Sequence, residues 1–580
     1  MPGPKTAKPA ASGASKRGKK TSPTTPKKLT IKTTKIPSSA KDAPSSGNPT
    51  ENSGSAIKRK RPAAQDAPNK RKRPAAEDAP EAEAGTPTKA SGPAKGQAKQ
   101  GPGRARKPKP VFENKVPQKV FEVFVFGNGE NGELGLGPKK KEALRPVMNR
   151  SLDPANATAF HIVDFACGGM HTVALSITNK IVTWGVNDDF ALGRRPLDDN
   201  PHPDVSSYSD DSSDGDDSSD SDDSSVADLN YWESTPGSIP EDCFEASVRF
   251  SQVAAGDSCG FVLTTAGTVY GWGTFRNSQG DSQFGYDPDG GAVKVAKAPT
   301  LIRGLPKITQ IACGANHLLA LDAGGTVWAW GNNEQNQFGR RFRGRHQNTF
   351  VPTQVRISRG KVKYIASGDY HSFAVDSRDR VWGWGANNYG QAGDPVTAGG
   401  DWAVLDTPVL IRHLSSKKVQ IMAGGAHHSA AVTAGGECFT WGRIDGGQLG
   451  VAFTDDQTRD VAHIRHDERG KPRMCLRPTA VPGLKAVHVA CGTDHTVIID
   501  KAGAAHTSGY GFHGQLGLGK DDDVDVATLI KAKSVKGKKL VRAGAGGNTS
   551  IVAAYAPAVW TRIYQNYDVT AGEGTGTGSG

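Results

Sequence analysis

The sequence contains no apolar run of about 18 residues, which excludes a transmembrane helix of ordinary length. Its first ten residues, MPGPKTAKPA, lack the apolar core of a secretion signal, so we do not expect secretion. No two of its 7 cysteines form a Cys-x-x-Cys pair, which argues against a disulfide framework and against a zinc site. We therefore predict free thiols in a reducing compartment, no metal and no cofactor.

Aromatic and large aliphatic residues are almost absent from residues 1–112, which consist mainly of Lys, Pro, Ala, Ser, Thr and Gly. Residues 1–110 carry 26 Lys and Arg against 7 Asp and Glu, a net charge of +19, while the whole chain carries +13. Such a segment cannot bury enough apolar surface to offset its ordering entropy, so we predict a disordered basic arm over 1–112. An arm of this kind binds DNA phosphate by releasing counterions, without reading the base sequence.

Two basic clusters in this arm resemble nuclear localisation signals, and this indicates a nuclear protein with an import receptor as partner. They lie in a short unit that occurs twice, as KRKRPAAQDAP and KRKRPAAEDAP. The alternative, a generic solvated tail, stays open. The clusters comprise Lys58, Arg59, Lys60, Arg61, Lys70, Arg71, Lys72 and Arg73.

A segment of opposite charge interrupts the remainder of the chain at 203–228, where 10 Asp alternate with serines. We predict a disordered acidic insert whose serines are candidates for phosphorylation, although a solvated spacer without a specific role is an equal alternative. A second flexible segment, rich in glycine, is expected at the end of the chain over 561–580.

Internal repetition dominates the sequence between these segments. A short strand that ends in an aromatic residue and glycine recurs, and each copy is followed by a glycine-rich turn of the form G-x(4)-G-x-L-G. Intervals of 54 to 88 residues separate successive copies, and the longest interval contains the acidic insert. The glycines that end the seven strands are Gly127, Gly185, Gly273, Gly331, Gly385, Gly442 and Gly509.

A second signature, Gly-x-x-His followed by an alternating strand, precedes copies two to seven and occurs once more after the last turn. Five histidines fill its final slot, and we expect most of them to bond backbone groups between repeats. The expected slot residues are His171, His317, His371, His427 and His495, with Cys259 and Thr549 in the other two repeats.

These repeats predict an all-β, seven-bladed propeller over 113–560. The period-2 alternation between glycine turns indicates about four strands in each unit, and units of this size must stack to bury a core. The first strand lacks a preceding Gly-x-x-His segment, and the last such segment lacks a following turn. Joining these two ends in one blade closes the ring and removes the open sheet edges.

The repeat signatures resemble the regulator-of-chromosome-condensation family, and in particular its fungal members. The resemblance covers roughly 120–556 and includes all seven repeats. It implies a guanine nucleotide exchange factor for the GTPase Ran, which accelerates nucleotide release without covalent chemistry. It also implies binding to histones or the nucleosome, a place on chromatin in the nucleus, no membrane contact and a monomeric state.

The resemblance further implies a β-wedge, a projecting hairpin that presses on the nucleotide-binding region of Ran. Its place in this chain is the third turn, GTFRNSQGDSQFG, which is four residues longer than the other turns. An ordinary loop insertion is the alternative. The expected wedge residues are Phe275, Arg276, Asn277, Ser278, Gln279 and Gly280.

The exchange face of the family carries over residue by residue. Asp257, Arg340 and His427 match its pattern, whereas Asn316 replaces an acidic residue and Glu130 replaces an aspartate. The loss of one charge at Asn316 predicts weaker exchange, which Asn316→Asp would restore.

Three alternatives accompany this interpretation. The first is a non-catalytic scaffold that tethers another partner to chromatin, and the second is an ultraviolet photoreceptor like a plant relative of the family. The tryptophans argue against the photoreceptor because they mostly end repeat strands. The third is nucleotide hydrolysis, suggested by GQLGLGKD at Gly514–Asp521, but that run ends in Asp where magnesium binding needs Ser or Thr.

Overall fold

The computed structural model describes residues 112–194, 228–287, 289–341, 349–357, 360–400 and 403–557. Nearly all of the basic arm with both localisation clusters, the acidic insert apart from Asp228, and the glycine-rich tail therefore lie outside the described residues. Over the described ranges no helix is long or apolar enough to cross a membrane.

The first three units of the chain contribute strands β1 to β14. Two of them begin the first blade, four form the second, and the third unit adds two small hairpins to its four-stranded sheet. In chain order they are β1 (Phe121–Asn128), β2 (Glu142–Met148), β3 (Ile162–Cys167), β4 (His171–Ser176), β5 (Ile181–Gly185), β6 (Gly237–Ser238), β7 (Phe250–Ala255), β8 (Cys259–Thr264), β9 (Val269–Gly273), β10 (Phe275–Arg276), β11 (Ser282–Gln283), β12 (Gly285–Tyr286), β13 (Ala292–Val293) and β14 (Ala296–Leu301).

The remaining units contribute β15 to β33 in the same pattern, with a fifth strand in the sixth blade. They are β15 (Ile308–Cys313), β16 (His317–Asp322), β17 (Val327–Gly331), β18 (Thr353–Val355), β19 (Val362–Ser367), β20 (His371–Asp376), β21 (Val381–Ala386), β22 (Val404–Leu410), β23 (Val419–Gly424), β24 (His428–Thr433), β25 (Cys438–Arg443), β26 (Ile464–His466), β27 (Pro472–Ala480), β28 (Ala486–Cys491), β29 (His495–Asp500), β30 (Ala505–Gly509), β31 (Val524–Leu529), β32 (Leu540–Ala545) and β33 (Thr549–Tyr555).

Helical segments are short and lie in the connections. The two α-helices are α1 (Tyr231–Ser234) and α2 (Asp455–Arg459). Turns of 3-10 helix occur at Arg150–Leu152, Asp188–Phe190, Glu241–Cys243 and Lys533–Val535.

The predicted ring closure is confirmed in blade 1, whose strand order is β2-β1-β33-β32. Strand β1 pairs antiparallel with β33 from Phe121 opposite Tyr555 to Gly127 opposite Thr549. The first and last described strands therefore complete one sheet, which removes an open edge from each. The architecture is the seven-bladed propeller that the repeats predict.

The aromatic-glycine signature arises from packing between neighbouring blades. Trp272 in β9 is fully buried, and its indole N–H donates to the carbonyl of Ala191 in the turn of blade 2 at 2.8 Å. A Cβ on Gly193 in that turn would lie 2.7 Å from the Trp272 ring, and Gly193 has φ +64°. Only glycine therefore lets the turn close against the tryptophan of the next blade.

Four buried histidines link successive blades, but they bond side-chain hydroxyls, so the expectation of bonds to backbone groups was wrong for them. The His317 Nε2 atom lies 2.9 Å from the hydroxyl of Ser372 in the next blade, and that hydroxyl donates to the carbonyl of Gln337 at 3.0 Å. Trp384 donates to the same carbonyl at 2.6 Å. The equivalent imidazole–hydroxyl pairs are His371 with Ser429, His428 with Thr496 and His495 with Ser550.

The prediction for the sixth repeat was wrong by one residue. His428, not His427, begins β24 and reaches Thr496 in the next blade at 2.9 Å. Burial lowers the pKa of the His428 imidazole to about 3, so this interblade group is neutral. His427 occupies the preceding position, as Asn316 and Tyr370 do in blades 4 and 5, and these three residues line one cavity.

Candidate functional site

All Gly-x-x-His loops and glycine-rich turns lie on one side of the propeller, called here the turn face. Antiparallel pairing requires this, because the start of each second strand lies opposite the end of the third, as His371 does opposite Gly385. The wedge hairpin belongs to the same face, since it follows Gly273, which lies opposite Cys259.

A ring of backbone hydrogen bonds joins the seven Gly-x-x-His loops around the propeller axis. The opening that these loops surround is called here the channel mouth. Each bond runs from one Gly-x-x-His loop to the next, and the series returns to its starting blade. The donor–acceptor pairs are Gly169–Gly256, Asp257–Ala315, Ala315–Asp369, Asp369–Gly425, Ala426–Thr493, Thr493–Gly546 and Gly547–Gly169. The residue after the loop glycine, which is Asp257 in blade 3, is therefore held beside the propeller axis.

Asp257, Asn316 and Arg276 form one contact group at this mouth. The Asn316 amide donates to the Asp257 carboxylate at 3.4 Å and accepts from the Arg276 backbone N–H at 2.7 Å. Water reaches Asp257, yet the surrounding loops limit its hydration and raise the pKa of its carboxyl, while Arg276 and Asn316 oppose that rise. The structure thus brings together two of the predicted face residues and one predicted wedge residue.

The wedge is a two-stranded hairpin formed by β10 and β11, in which Arg276 pairs with Ser282. Its tip is an Asx-type turn, because the Asn277 side chain accepts from the backbone of Gln279 and Asp281 at 3.0 and 2.7 Å. Residues 278–281 at the tip are exposed. The hairpin therefore projects from the turn face with an ordered tip.

The root of the wedge is fixed on both sides. Arg276 forms an ion pair of 2.7 Å with Asp189 in blade 2, and the Asn332 amide of blade 4 donates to the Arg276 carbonyl at 2.9 Å. Ser278 donates from its backbone and its hydroxyl to the Glu334 carboxylate. Force on the tip is thereby transmitted to three blades.

Phe275 differs from the other predicted wedge residues because it is almost completely buried. Its ring stacks on Phe261 and Phe284 with centroids 5.9 Å apart in each pair. Phe275 therefore anchors the hairpin in the core of blade 3 and does not face a partner.

His427 lies on the turn face, where its ring contacts Tyr389 at 4.8 Å between centroids. Burial lowers the pKa of its imidazole, while the charge of Asp494 opposes that change. Arg443 extends the group, since its guanidinium lies 3.5 Å from Asp494 and 5.6 Å from the Tyr389 ring centroid. One shallow cavity is lined by residues of this side and of the wedge, among them Arg276, Asn316, Tyr370 and His427.

The other two predicted face residues lie away from the mouth. Arg340 is exposed at the outer end of the blade 4 turn, between Gly339, which packs on Trp384 and Pro408, and Arg341, which pairs with Asp406. Glu130 is exposed in the turn of blade 1.

Sequence reasoning missed two carboxylates of this site, Asp369 and Asp494. Burial raises the pKa of the Asp369 carboxyl to about 8, and the charges of Asp257 and Asp494 add to the rise. Burial and nearby acids likewise raise the pKa of Tyr370 to about 12. A signal was present, because Asp369 follows the loop glycine in SGDYH just as Asp257 does in AGDSC.

The site holds no set of three or more His, Cys, Asp or Glu suited to a metal ion among the residues with described positions. Each of the 7 cysteines is a free thiol. The arrangement is instead a polar, mostly acidic mouth with an ordered hairpin beside it, which suits recognition of a protein surface.

Comparison with known proteins gives consistent matches. The family model for the RCC1-like domain matches residues 122–552. The guanine nucleotide exchange factor SRM1 of Saccharomyces cerevisiae is 35% identical over 443 residues, which span 74% of this chain and 86% of the relative. The crystal structure of Prp20p from Saccharomyces cerevisiae, described with its binding to Gsp1p and histones, matches with a TM-score of 0.65 and 31% identity, over 79% of this chain and 97% of Prp20p. Yeast RCC1 (Prp20) bound to Kap60 also matches, with a TM-score of 0.65, 30% identity and coverage of 82% and 100%.

Proposed function

Because this chain belongs to the RCC1-like family, we propose that it acts as a chromatin-associated guanine nucleotide exchange factor that releases GDP from the nuclear GTPase Ran. The observation that carries this proposal is the wedge hairpin, which is fixed at its root to the Asp257–Asn316 pair at the channel mouth. Its relative SRM1 is a guanine nucleotide exchange factor, and such an activity makes or breaks no covalent bond.

The mechanism is antagonistic binding of two ligands by the GTPase. The turn face binds Ran, and the wedge tip presses on the region that holds the nucleotide phosphates. Since a GTPase distorted in this way binds nucleotide less tightly, nucleotide and exchange factor weaken each other's binding by the same factor. GDP leaves, and abundant GTP then displaces the exchange factor.

Each part of the site has a role in this scheme. The polar mouth formed by Asp257, Asn316 and His427 provides contacts that orient the GTPase. The wedge tip contacts the nucleotide-binding region of Ran. The ion pair of Arg276 with Asp189 and the bonds of Ser278 with Glu334 hold the hairpin in place during this contact. An ordered wedge loses less conformational entropy on binding than a mobile loop would.

The test is the rate of release of labelled GDP from Ran, measured beside urea unfolding of each variant. We expect Asp257→Ala to lower the release rate at least tenfold while the free energy of unfolding changes by less than about 1 kcal/mol. Arg340→Ala tests a second predicted face residue, which is exposed on a different blade from Asp257 and should lower the release rate too. Normal release by both Asp257→Ala and Arg340→Ala would favour the non-catalytic scaffold.

The same proposal places the protein on chromatin in the nucleus. Its support is the net charge of +19 over residues 1–110, the two localisation clusters, and relatives described with histones and with Kap60. The first described residues, Phe112 and Asn114, contact Lys307, Thr264 and Thr265 on the face opposite the wedge. Within the described ranges the N-terminal segment therefore leaves the turn face uncovered.

DNA binding by the arm is tested by its salt dependence. If about 6 phosphates are neutralised, the affinity for duplex DNA should fall about a thousandfold between 50 and 200 mM salt. Removal of residues 1–110 should abolish this dependence, and replacement of both basic clusters by alanine should reduce nuclear import. A shortened chain with the same salt dependence would contradict the assignment to the arm.

A further inference from the structure

The glycine-rich turn of blade 7 exposes aromatic side chains. Phe512 is 61% exposed and Tyr510 is 37% exposed. Their ring centroids lie 6.4 Å apart, and His513 contacts both rings at 5.9 and 5.4 Å. These three side chains, called here the aromatic anchor, support one another and form a preordered apolar patch.

Comparison of the repeats shows how unusual Phe512 is. It stands three residues after the strand-ending glycine, and every other blade has a charged residue or asparagine at that position. The equivalent residues are Glu130, Asp188, Arg276, Glu334, Asn388 and Asp445. Phe512 therefore places exposed apolar surface where the repeat otherwise has polar groups.

The turn of blade 7 also lacks a cap that other blades have. In blades 1 and 4 the residue after the glycine is asparagine, whose side chain accepts the N–H of Glu130 or Glu334 at 2.7 and 2.9 Å. Tyr510 cannot do this, and the turn instead uses the Asp523 carboxylate, which accepts the Gly511 N–H at 2.9 Å. Blades 2, 3, 5 and 6 also lack asparagine at this position, but only blade 7 has an aromatic residue there.

The anchor lies on the turn face, on the far side of the channel from the wedge. The Tyr510 N–H donates to the carbonyl of Asp494, a residue of the channel mouth, at 3.0 Å. Blade 7 is three blades from blade 3, the largest separation possible in a ring of seven. Exposed aspartates 521–523 lie next to the anchor, so its surroundings are acidic.

We propose that Tyr510, Phe512 and His513 bind the same GTPase that the wedge acts on, at an apolar patch of the GTPase bordered by basic side chains. This inference rests on the proposed function. A partner seated over the channel contacts both sides of the mouth, and exposed aromatics beside charged groups are the residues that contribute most to such contacts. The anchor holds the GTPase while the wedge strains it, so the two sites have different kinetic roles.

The experiment measures GDP release from Ran over a range of exchange-factor concentrations with the full chain. We expect Phe512→Ala to raise the half-saturating concentration about five- to tenfold and to leave the maximal release rate unchanged, because only binding is weakened. Tyr510→Ala should act in the same direction, and Phe512→Leu should be intermediate. Tyr555→Ala is the matched control, since Tyr555 is 44% exposed but lies on the opposite face.

The outcomes separate this inference from the function on which it rests. An unchanged half-saturating concentration in a folded Phe512→Ala variant overturns the anchor and leaves the exchange function intact. A lower maximal rate with unchanged half-saturation also overturns it, because the turn would then act in straining the nucleotide site. Absence of exchange by the wild-type chain contradicts the proposed function itself.

Discussion

At the scale of single residues, two adjacent histidines in the sixth repeat have different tasks. His428 is fully buried and reaches Thr496 across the blade junction, whereas His427 lies at the channel mouth against Tyr389. Removal of a buried imidazole leaves the hydroxyl that it bonded without a partner and opens a cavity beside it. The pair is therefore a matched test of folding against function.

We expect His428→Ala to lower the free energy of unfolding by about 1–3 kcal/mol, because it removes a buried bond. His427→Ala should change stability by less than about 1 kcal/mol and should lower the GDP-release rate. Urea unfolding and nucleotide release measured on both variants decide the matter. If the two variants lose equal free energy of unfolding, His427 has a structural role like that of His428.

The raised pKa of the Asp369 carboxyl predicts how the stability of the protein depends on pH. Its pKa is about 8 in the folded protein, against about 4 in an unfolded chain. Between these values folding takes up a proton, so stability falls as pH rises from about 4 to about 8. Asp369→Asn cannot ionise, so its stability relative to the wild type should increase by at least about 1 kcal/mol between pH 5 and pH 8.

Urea unfolding at pH 5 and pH 8 measures this difference. Asp521→Asn is the control, since Asp521 is exposed in a turn, and its two free energies of unfolding should follow the wild type. If the wild type and Asp369→Asn show the same pH dependence, the carboxylates of the mouth do not interact in the way described.

At the scale of elements, the wedge has a buried root and an exposed tip. Phe275→Ala should cost about 3–5 kcal/mol of stability because it empties a packed aromatic site. Replacing residues 277–281 by a two-residue Asn-Gly turn keeps the pairing of Arg276 with Ser282 and removes the tip together with the Ser278–Glu334 bonds. This shortened chain should unfold normally and release GDP at least tenfold more slowly.

Release rates and unfolding curves of these two variants separate the roles. If the shortened wedge releases GDP at the wild-type rate, the hairpin is an ordinary insertion, which is the alternative that the sequence left open. The sequence identified this hairpin by its extra length but could not assign Phe275 to the core, because its neighbours Phe261 and Phe284 meet it only in the folded blade.

The repeat pattern predicted the fold more completely than the site. Glycine turns and alternating strands are local features, so the seven blades and their closure could be read along the chain. Contacts between blades are not local. The sequence Ala-His-His allows two registers, and only the position of Thr496 selects His428. Arg340 follows Gly339, which packs on Trp384 and Pro408 of blade 5, and this contact between blades could not be read from the sequence.

At the scale of the whole molecule, axial backbone bonds link the blades at every junction of the described ring, and imidazole–hydroxyl pairs link them at four of the seven. Both features occur at the last junction, where the ring closes. Blade 1 joins strands from both ends of the described chain. At the junction of blades 7 and 1, His495 reaches Ser550 at 2.8 Å, and Ser550 donates to the carbonyl of Gln515 at 2.9 Å. The axial ring of backbone bonds likewise passes through Gly546 and Gly547.

A chain that ends after residue 539 loses all three of these features at once. Strands β32 and β33 are removed and β1 loses its partner from Phe121 to Gly127, so the edge of β1 becomes exposed. The apolar face of blade 7 that packs on these strands is exposed as well. Exposed edges pair with other chains, so we expect aggregation and loss of a single cooperative unfolding transition.

Thermal unfolding with light scattering measures both effects. Removal of residues 571–580 is the control and should leave the transition unchanged. Equal transition temperatures for the 539-residue chain and the full chain would mean that ring closure contributes nothing to stability.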